Sequence, residues 1–239
     1  MIPLKDNIPS SRPPYISYAL IGINVLAFLL EKSSGPHLPE VIKHLGFVPF
    51  RFWSFLSQGS VVLAVIPMFT SMFLHAGWLH LIGNMWILFI FGDNVEDVLG
   101  RGQFLLFYLT CGVAALATHI LFAAGSVTPL VGASGAIAGV MGAYFSLFPG
   151  ARVLTLVPIF IVFTVIELPA YIFLGFWFLF QFFQGALVGG MGHAGGVAWW
   201  AHVGGFLAGV SLIHLLVSGR TRSFFRRGLS GSMREWPGI

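Results

Sequence analysis

Long apolar stretches with very few charged residues dominate this sequence, and they decide the solvent in which the chain can fold. Only 8% of its 239 residues are charged and 57% are hydrophobic, whereas about a quarter of the residues of a soluble domain are charged. A water-soluble protein needs more polar residues than this to cover its surface. We therefore predict an all-α membrane protein whose solvent is the lipid bilayer.

Six stretches meet the requirement of about 20 mostly apolar residues for a spanning helix. They lie at residues 15–31, 73–92, 103–124, 133–148, 169–187 and 198–217. Two further apolar stretches, 47–69 and 154–168, are interrupted by prolines. The first is rich in Phe and Trp and is expected to lie in the membrane interface. The second, about 22 Å long as a helix, is too short to cross a core of about 30 Å and is interpreted as partly immersed.

The positions of Lys and Arg predict the orientation of the chain. Six spans place both ends on one side, where most of the basic residues also fall, which indicates cytoplasmic termini in a multi-pass protein of the cell membrane. This side holds Lys5, Arg12, Arg101, Arg152, Arg220, Arg222, Arg226, Arg227 and Arg234, and the other holds Lys32, Lys43 and Arg51. We expect a cytoplasmic tail at 1–14, a membrane domain at 15–217 and a basic cytoplasmic tail at 218–239. The basic residues set orientation, so membrane lipid and not nucleic acid is the expected partner.

Ser134 is a functional candidate because polar groups inside a membrane are costly. It lies in the sequence Gly132-Ala133-Ser134-Gly135 at the start of the fourth predicted span, just below the non-cytoplasmic surface. The structural alternative is that these small residues serve close helix packing.

His202 lies near the start of the sixth predicted span, about one turn inside the same surface. Gly205 and Gly209 form a GxxxG pair that allows two helix backbones to approach closely. If the fourth and sixth spans pack through these faces, Ser134 and His202 meet at one depth. A neutral imidazole there can take the hydroxyl proton and activate the serine. A histidine bonded to a backbone carbonyl is the alternative.

His80 and Asn84 are four residues apart at the start of the second span and so share one helix face. Both side chains donate hydrogen bonds, and preorganised donors stabilise the oxyanion of acyl transfer. A polar clamp between helices is the alternative role. His75, one turn earlier, is expected to be structural. On this topology the non-cytoplasmic acidic residues are Glu31 and Glu40, both in the loop after the first span, which favours a Ser–His dyad without a third member. The histidines lack metal-ligand spacing, so neither a metal nor another cofactor is expected.

Three segments of this sequence resemble the signature regions of the rhomboid family of intramembrane serine proteases. HAGWLHLIGNMWIL (75–88), GASGA (132–136) and AHVGGFLAG (201–209) occur in that family's order and spacing, and the resemblance covers residues 15–217. It implies Ser134 as the nucleophile, His202 as the base, and an oxyanion hole formed by His80, Asn84 and the Ser134 backbone N–H. It also implies substrates with a single membrane span, cut in or beside that span.

The sequence departs from the family at two places. Ala138 stands where some members carry an aromatic residue that stacks on the catalytic histidine. Ile66-Pro67 stands near the place where some carry a Trp-Arg pair in the first loop.

We therefore expect a six-transmembrane-helix rhomboid-like bundle that acts as an intramembrane serine endopeptidase, with its site open to the non-cytoplasmic side. A glycine-rich segment at 189–196 is expected to form a mobile loop beside the site. The main alternative is a non-catalytic rhomboid-like protein that binds membrane clients. A small transporter is a third possibility, but transport needs charged or broken-helix sites at mid-membrane, and the Pro-broken segment lies near the cytoplasmic face.

Overall fold

A computed structural model describes residues 1–159, 162–188 and 197–217 of the chain. The mobile loop expected at 189–196 and the basic tail expected at 218–239 lie outside the described residues.

Helices occupy all six positions at which spans were predicted, and three short helices precede the second of them. In chain order the helices are α1 (Tyr15–Ser33), α2 (Leu38–Leu45), α3 (Pro49–Ser57), α4 (Val61–Thr70), α5 (Trp78–Leu99), α6 (Arg101–Ala123), α7 (Ser134–Leu147), α8 (Ala170–Val188) and α9 (Trp199–Leu216). By length and hydropathy, α1, α6, α8 and α9 can each cross a membrane, and α5 qualifies together with Val61–Phe73, from which it is bent by 83°. The 14-residue α7 is apolar but shorter. A helical membrane bundle is thereby confirmed.

The connection between α1 and α5, which includes the segment 47–69 that was predicted to lie in the interface, consists of short helices. Pro49 occupies the first turn of α3, where its missing N–H leaves no bond unmade. Main-chain hydrogen bonds anchor this connection to the segment before α7. Phe47 and Leu130 exchange N–H···O bonds of 3.0 and 2.7 Å, and the Gly132 N–H donates to the Ser71 carbonyl at 2.9 Å. The first loop is thus held by its backbone beside the start of α7.

Residues 154–159 and 162–168 belong to strands, so the helical geometry used to judge the length of the segment 154–168 was wrong. In the described residues, β1 (Ile2–Asp6), β2 (Arg152–Ile159) and β3 (Val162–Pro169) form an antiparallel sheet in the order β1-β2-β3. The two hairpin strands are rich in β-branched residues, which favour a pleated surface over a helix. Counting apolar residues alone missed this composition. The sheet also takes in part of the segment 1–14 that was expected to be a simple tail.

Carboxylates near the end of α5 hold the chain that leads into α1. Glu96 accepts hydrogen bonds from the backbone N–H groups of Ile16 and Ser17 at 3.0 and 2.8 Å. These donors belong to the first turn of α1, where N–H groups have no acceptor within the helix. Asp97 accepts from the Ser11 N–H at 2.8 Å. These bonds fix α1 against α5, and α1 then presents Glu31 at its other end.

The central helix of the bundle is α7, and every residue from Ala136 to Tyr144 is buried. Glycines bring its backbone into contact with α9. A Cβ atom at Gly205 would overlap the carbonyl oxygen of Gly135, and one at Gly209 would overlap that of Gly139. The predicted packing of the fourth and sixth spans through their small residues is confirmed.

Candidate active site

Ser134 is the first residue of α7, and the turn before it depends on a glycine. Gly132 has a φ of +127°, a region that residues with a Cβ avoid. The first N–H groups of a helix have no intrahelical acceptor, and they form the positive end of the helix dipole. The backbone N–H of Ser134 is one of these groups, and its side chain is partly exposed. A hydroxyl and a favourable site for an anion therefore coincide at this helix end.

The imidazole of His202 lies within hydrogen-bond reach of this hydroxyl. Its Nε2 atom is 2.8 Å from Ser134 Oγ. His202 stands in the first turn of α9, and the glycine contacts between α7 and α9 set the separation of the two side chains. The two residues that sequence analysis paired across the fourth and sixth spans are therefore in contact.

The second nitrogen of the His202 ring is bonded to a residue that the sequence analysis missed. Nδ1 lies 2.8 Å from Oε1 of Gln181 on α8, and Gln181 is only 6% exposed. An amide oxygen can only accept a hydrogen bond, so Nδ1 carries the proton and the lone pair of Nε2 faces Ser134. The signal for Gln181 was available, since a polar side chain inside a predicted span is a functional candidate by default.

Aromatic side chains from α8 and α9 pack around His202. The ring centroid of Trp177 lies 5.9 Å from that of His202, and the Trp199 centroid lies 6.4 Å away. Ala138, where an aromatic contact stands in some rhomboids, is fully buried. The described contacts of the His202 ring on this side therefore come from Gln181 and the two tryptophans, and not from an aromatic residue one turn after the serine.

His80 and Asn84 border the backbone just before Ser134. A Cβ atom built on Gly132 would lie 2.7 Å from His80 Nε2 and 3.6 Å from Asn84 Nδ2. The two side chains that share a face of α5 thus converge on the turn that presents the serine.

A buried polar network positions Asn84. Its Nδ2 atom lies 3.0 Å from Nε2 of His75, and the His75 backbone N–H donates to the Glu31 carboxylate at 3.1 and 3.2 Å. Glu31 belongs to the last turns of α1 and is only 3% exposed. Its predicted place in the loop after the first span was wrong, because α1 continues to Ser33. Glu31 helps to fix the start of α5, on which the two donors stand.

A small cavity of about 30 Å³ opens beside Ser134. Its lining includes Ser71, Gly132 and Ser134, together with small residues such as Ala115 and Ala201. A cavity of roughly 10–15 Å³ is enough to hold a water molecule if polar partners are present. The cavity therefore has room for water next to the hydroxyl.

The residues of this site lie in a part of the chain that matches a known protein family. The family model of the Rhomboid domain matches residues 63–219, which is more than half of the chain and includes Ser134, His202, His80 and Asn84. The chain belongs to the rhomboid family. Gln181 also lies within the matched rhomboid region.

Curated relatives carry the same family name. The chain is 32% identical over 156 residues to Rhomboid protein 1, mitochondrial, of Saccharomyces cerevisiae, covering 62% of this chain and 40% of that protein. It is 34% identical over 108 residues to Presenilin-associated rhomboid-like protein A, mitochondrial, of Danio rerio, covering 44% and 28%. It is 34% identical over 131 residues to Rhomboid protease GluP of Bacillus subtilis, covering 54% and 24%. The chain thus covers less than half of the length of each of these relatives.

Proposed function

We propose that this rhomboid protein is an intramembrane serine endopeptidase in which Ser134 is the nucleophile and His202 is the base. The observation that carries the proposal is the 2.8 Å contact between Ser134 Oγ and His202 Nε2. A serine hydroxyl becomes an effective nucleophile when a neutral imidazole within hydrogen-bond reach removes its proton.

The proposed reaction has two stages. Ser134 Oγ attacks the carbonyl carbon of the scissile peptide bond while His202 Nε2 takes the hydroxyl proton. His202 then returns this proton to the leaving amine as the C–N bond breaks, which leaves an acyl-enzyme. In the second stage, water gives a proton to His202 Nε2 as its oxygen attacks the ester, and His202 passes that proton to Ser134 Oγ as the acyl C–O bond breaks. The cavity beside Ser134 supports this step, because it offers room for water inside the bundle.

The oxyanion of each tetrahedral intermediate would accept hydrogen bonds from the Ser134 N–H, His80 and Asn84. Fixed donors aimed at a developing charge in a site with little water are a large source of catalysis. The position of α7 supports this assignment, because the positive end of its dipole lies where the negative charge develops.

The proposed substrates are membrane proteins with a single span, cut in or beside that span. A partly exposed serine at the end of a short apolar helix, inside a bundle of membrane-spanning length, suits a peptide bond near the bilayer surface. The proposed setting is the cell membrane, with cytoplasmic termini and a site open to the other side. Binding of membrane clients without cleavage is the alternative, and it would not require the lone pair of His202 to face the serine hydroxyl.

Cleavage of a single-span substrate by the reconstituted protein tests this function. Ser134→Ala is expected to reduce cleavage to background while the protein remains folded. Ser146→Ala is the matched control, because Ser146 lies on the same helix and, among the described residues, its hydroxyl donates to the Gly142 carbonyl at 3.2 Å. We expect this control to cleave at close to the wild-type rate. Cleavage by Ser134→Ala at that rate would contradict the proposal.

A further inference from the structure

We propose that Gln181 is a positioning residue of this enzyme, which holds His202 in the tautomer and ring orientation that let Nε2 accept the Ser134 proton. The inference rests on the proposed peptidase function and adds a third side chain to its Ser–His dyad. Gln181 does not touch the reacting atoms, and its effect passes through His202.

The contacts of the His202 ring carry this inference. Its two nitrogens face different partners, Ser134 Oγ at Nε2 and Gln181 Oε1 at Nδ1, each at 2.8 Å. A neutral imidazole carries one N–H, so the proton can lie on one side only. With the proton on Nε2, the lone pair of Nδ1 would face the lone pairs of the Gln181 oxygen, and Nε2 could no longer act as a base. The observed arrangement therefore favours the reactive tautomer.

Burial makes this hydrogen bond effective. Gln181 is 6% exposed, so water does not compete for its oxygen. Trp177 and Trp199 face the imidazole ring, and within the described residues Gln181 is the hydrogen-bond partner of Nδ1. Loss of the amide oxygen would leave the Nδ1–H buried without an acceptor, and the ring would be free to turn or change tautomer.

Gln181 is uncharged, which distinguishes this site from a Ser–His–acid triad. In the described part of the chain, no carboxylate forms an ion pair with His202, and the ionisable side chains that act on it are His80 from α5 and His119 from α6. A neutral amide orients the ring without placing a second charge inside the membrane. A carboxylate at the same position would orient the ring and also stabilise the imidazolium.

Two substitutions at Gln181 separate positioning from simple packing. Gln181→Leu removes the acceptor, and we expect kcat to fall about 10- to 100-fold with KM nearly unchanged, because substrate does not contact Gln181. Gln181→Glu keeps an acceptor, and we expect it to retain most of the wild-type kcat at high pH. Because the carboxylate favours the protonated imidazole, the acid limb of its pH–rate profile should move to higher pH. Gln184→Leu, one turn further along α8, is the matched control and should leave both readouts unchanged.

The measurement is kcat, KM and the pH profile of the reconstituted full chain, with Tm recorded on the same preparations and Ser134→Ala assayed beside them. A fall in kcat for Gln181→Leu at a Tm equal to that of Gln184→Leu, with a shifted acid limb for Gln181→Glu, supports the inference. Wild-type kcat in Gln181→Leu overturns it. If Gln181→Leu does not fold, an unshifted acid limb in Gln181→Glu overturns it. Loss of cleavage in Ser134→Ala together with wild-type behaviour in both Gln181 variants refutes the positioning role alone, whereas cleavage by Ser134→Ala refutes the proposed function.

Discussion

Among single residues, Asn84 shows how a donor is held in place for a reaction. The 3.0 Å contact of its Nδ2 atom with His75 Nε2 requires one amide N–H to point at His75. The amide nitrogen, and not its oxygen, is therefore fixed on this side of α5. The second N–H of the same group is left for the proposed oxyanion site near Gly132.

Replacement of Asn84 by Ala is expected to lower kcat and leave KM almost unchanged, because the donor acts on charge that exists only in the transition state. In other serine proteases, removal of one oxyanion donor lowers kcat about 10²- to 10³-fold. Because the Ser134 N–H and His80 would remain as donors, we expect Asn84→Ala to lower kcat by about 10²-fold or less. Asn24→Ala is the matched control, since Asn24 is buried in α1 and bonds the Leu20 carbonyl at 2.7 Å. Parallel kinetics and Tm measurements check this. A lowered Tm with an unchanged kcat would make Asn84 a structural clamp.

The residues of the candidate site differ in how far sequence could reveal them. Ser134 and His202 could be found because each is a polar group in an apolar span, and glycines on the same spans indicate that the two helices touch. The sequence marks Gln181 as a polar residue in an apolar span, but it does not reveal the contact with His202. That contact depends on how α8 is rotated in the bundle, which no local sequence pattern records. The contact of Glu31 with His75 joins residues 44 positions apart, and sequence spacing carries no trace of it.

Among the elements, β1 joins the sheet to the helical bundle. Asp6 at its end accepts a hydrogen bond from the hydroxyl of Tyr144 on α7, and Asn7 accepts one from the Arg152 N–H at 2.8 Å. The sheet therefore rests against the opposite end of the helix that presents Ser134. Its strands β2 and β3 escaped prediction because hydropathy and periodicity alone do not distinguish a short apolar strand from a buried helix, and their β-branched residues were not weighed.

The docking of β1 should make stability depend on pH. Burial raises the pKa of the Asp6 carboxyl to about 7, with a further rise from Asp93 and an opposing effect of the Tyr144 hydrogen bond. In the unfolded chain an aspartate titrates near 4. Between these values the folded chain holds a proton that the unfolded chain has released, so stability falls as the pH rises from about 4 to 7 and is level above that.

Asp6→Asn should reduce this dependence, because asparagine keeps an acceptor oxygen for Tyr144 and does not ionise. In the wild-type chain, the shift of the Asp6 pKa corresponds to a fall of about 4 kcal/mol in the free energy of unfolding between pH 4 and pH 7. We expect the wild-type Tm to be higher at pH 5 than at pH 8, and the difference to shrink in Asp6→Asn. Thermal unfolding of both proteins at the two pH values checks this. An equal pH dependence in the two would rule out Asp6 as its source.

For the molecule as a whole, the decisive question is how the helices cross the membrane. Four helices are long and apolar enough alone, and the central α7 has 14 residues, about 21 Å of helix. Packing explains this length, because α7 is surrounded by other helices and does not itself have to match the thickness of the bilayer. In the proposed topology, six crossings would place the ends of α7 on opposite sides of the membrane and both chain ends in the cytoplasm.

Single cysteines on either side of α7 test this topology. Gly125 and Gly150 lie in open space, before and after α7, and Cys111 is the chain's single cysteine. In a Cys111→Ala background, an impermeant thiol reagent should label Gly125→Cys from the non-cytoplasmic side and Gly150→Cys from the cytoplasmic side. Labelling of both positions from one side would show that α7 does not cross.

The most direct test of the proposed catalytic pair is a double-mutant comparison of cleavage by Ser134→Ala, His202→Ala and the combined variant, with Tm recorded for each. A nucleophile and its base act as one unit, so each single variant should lose nearly all cleavage and the combined variant should be hardly slower than either. Folded variants with these rates would support the contact between Ser134 and His202 as the origin of activity. Near-wild-type cleavage by Ser134→Ala, or a combined loss equal to the product of two partial losses, would contradict it.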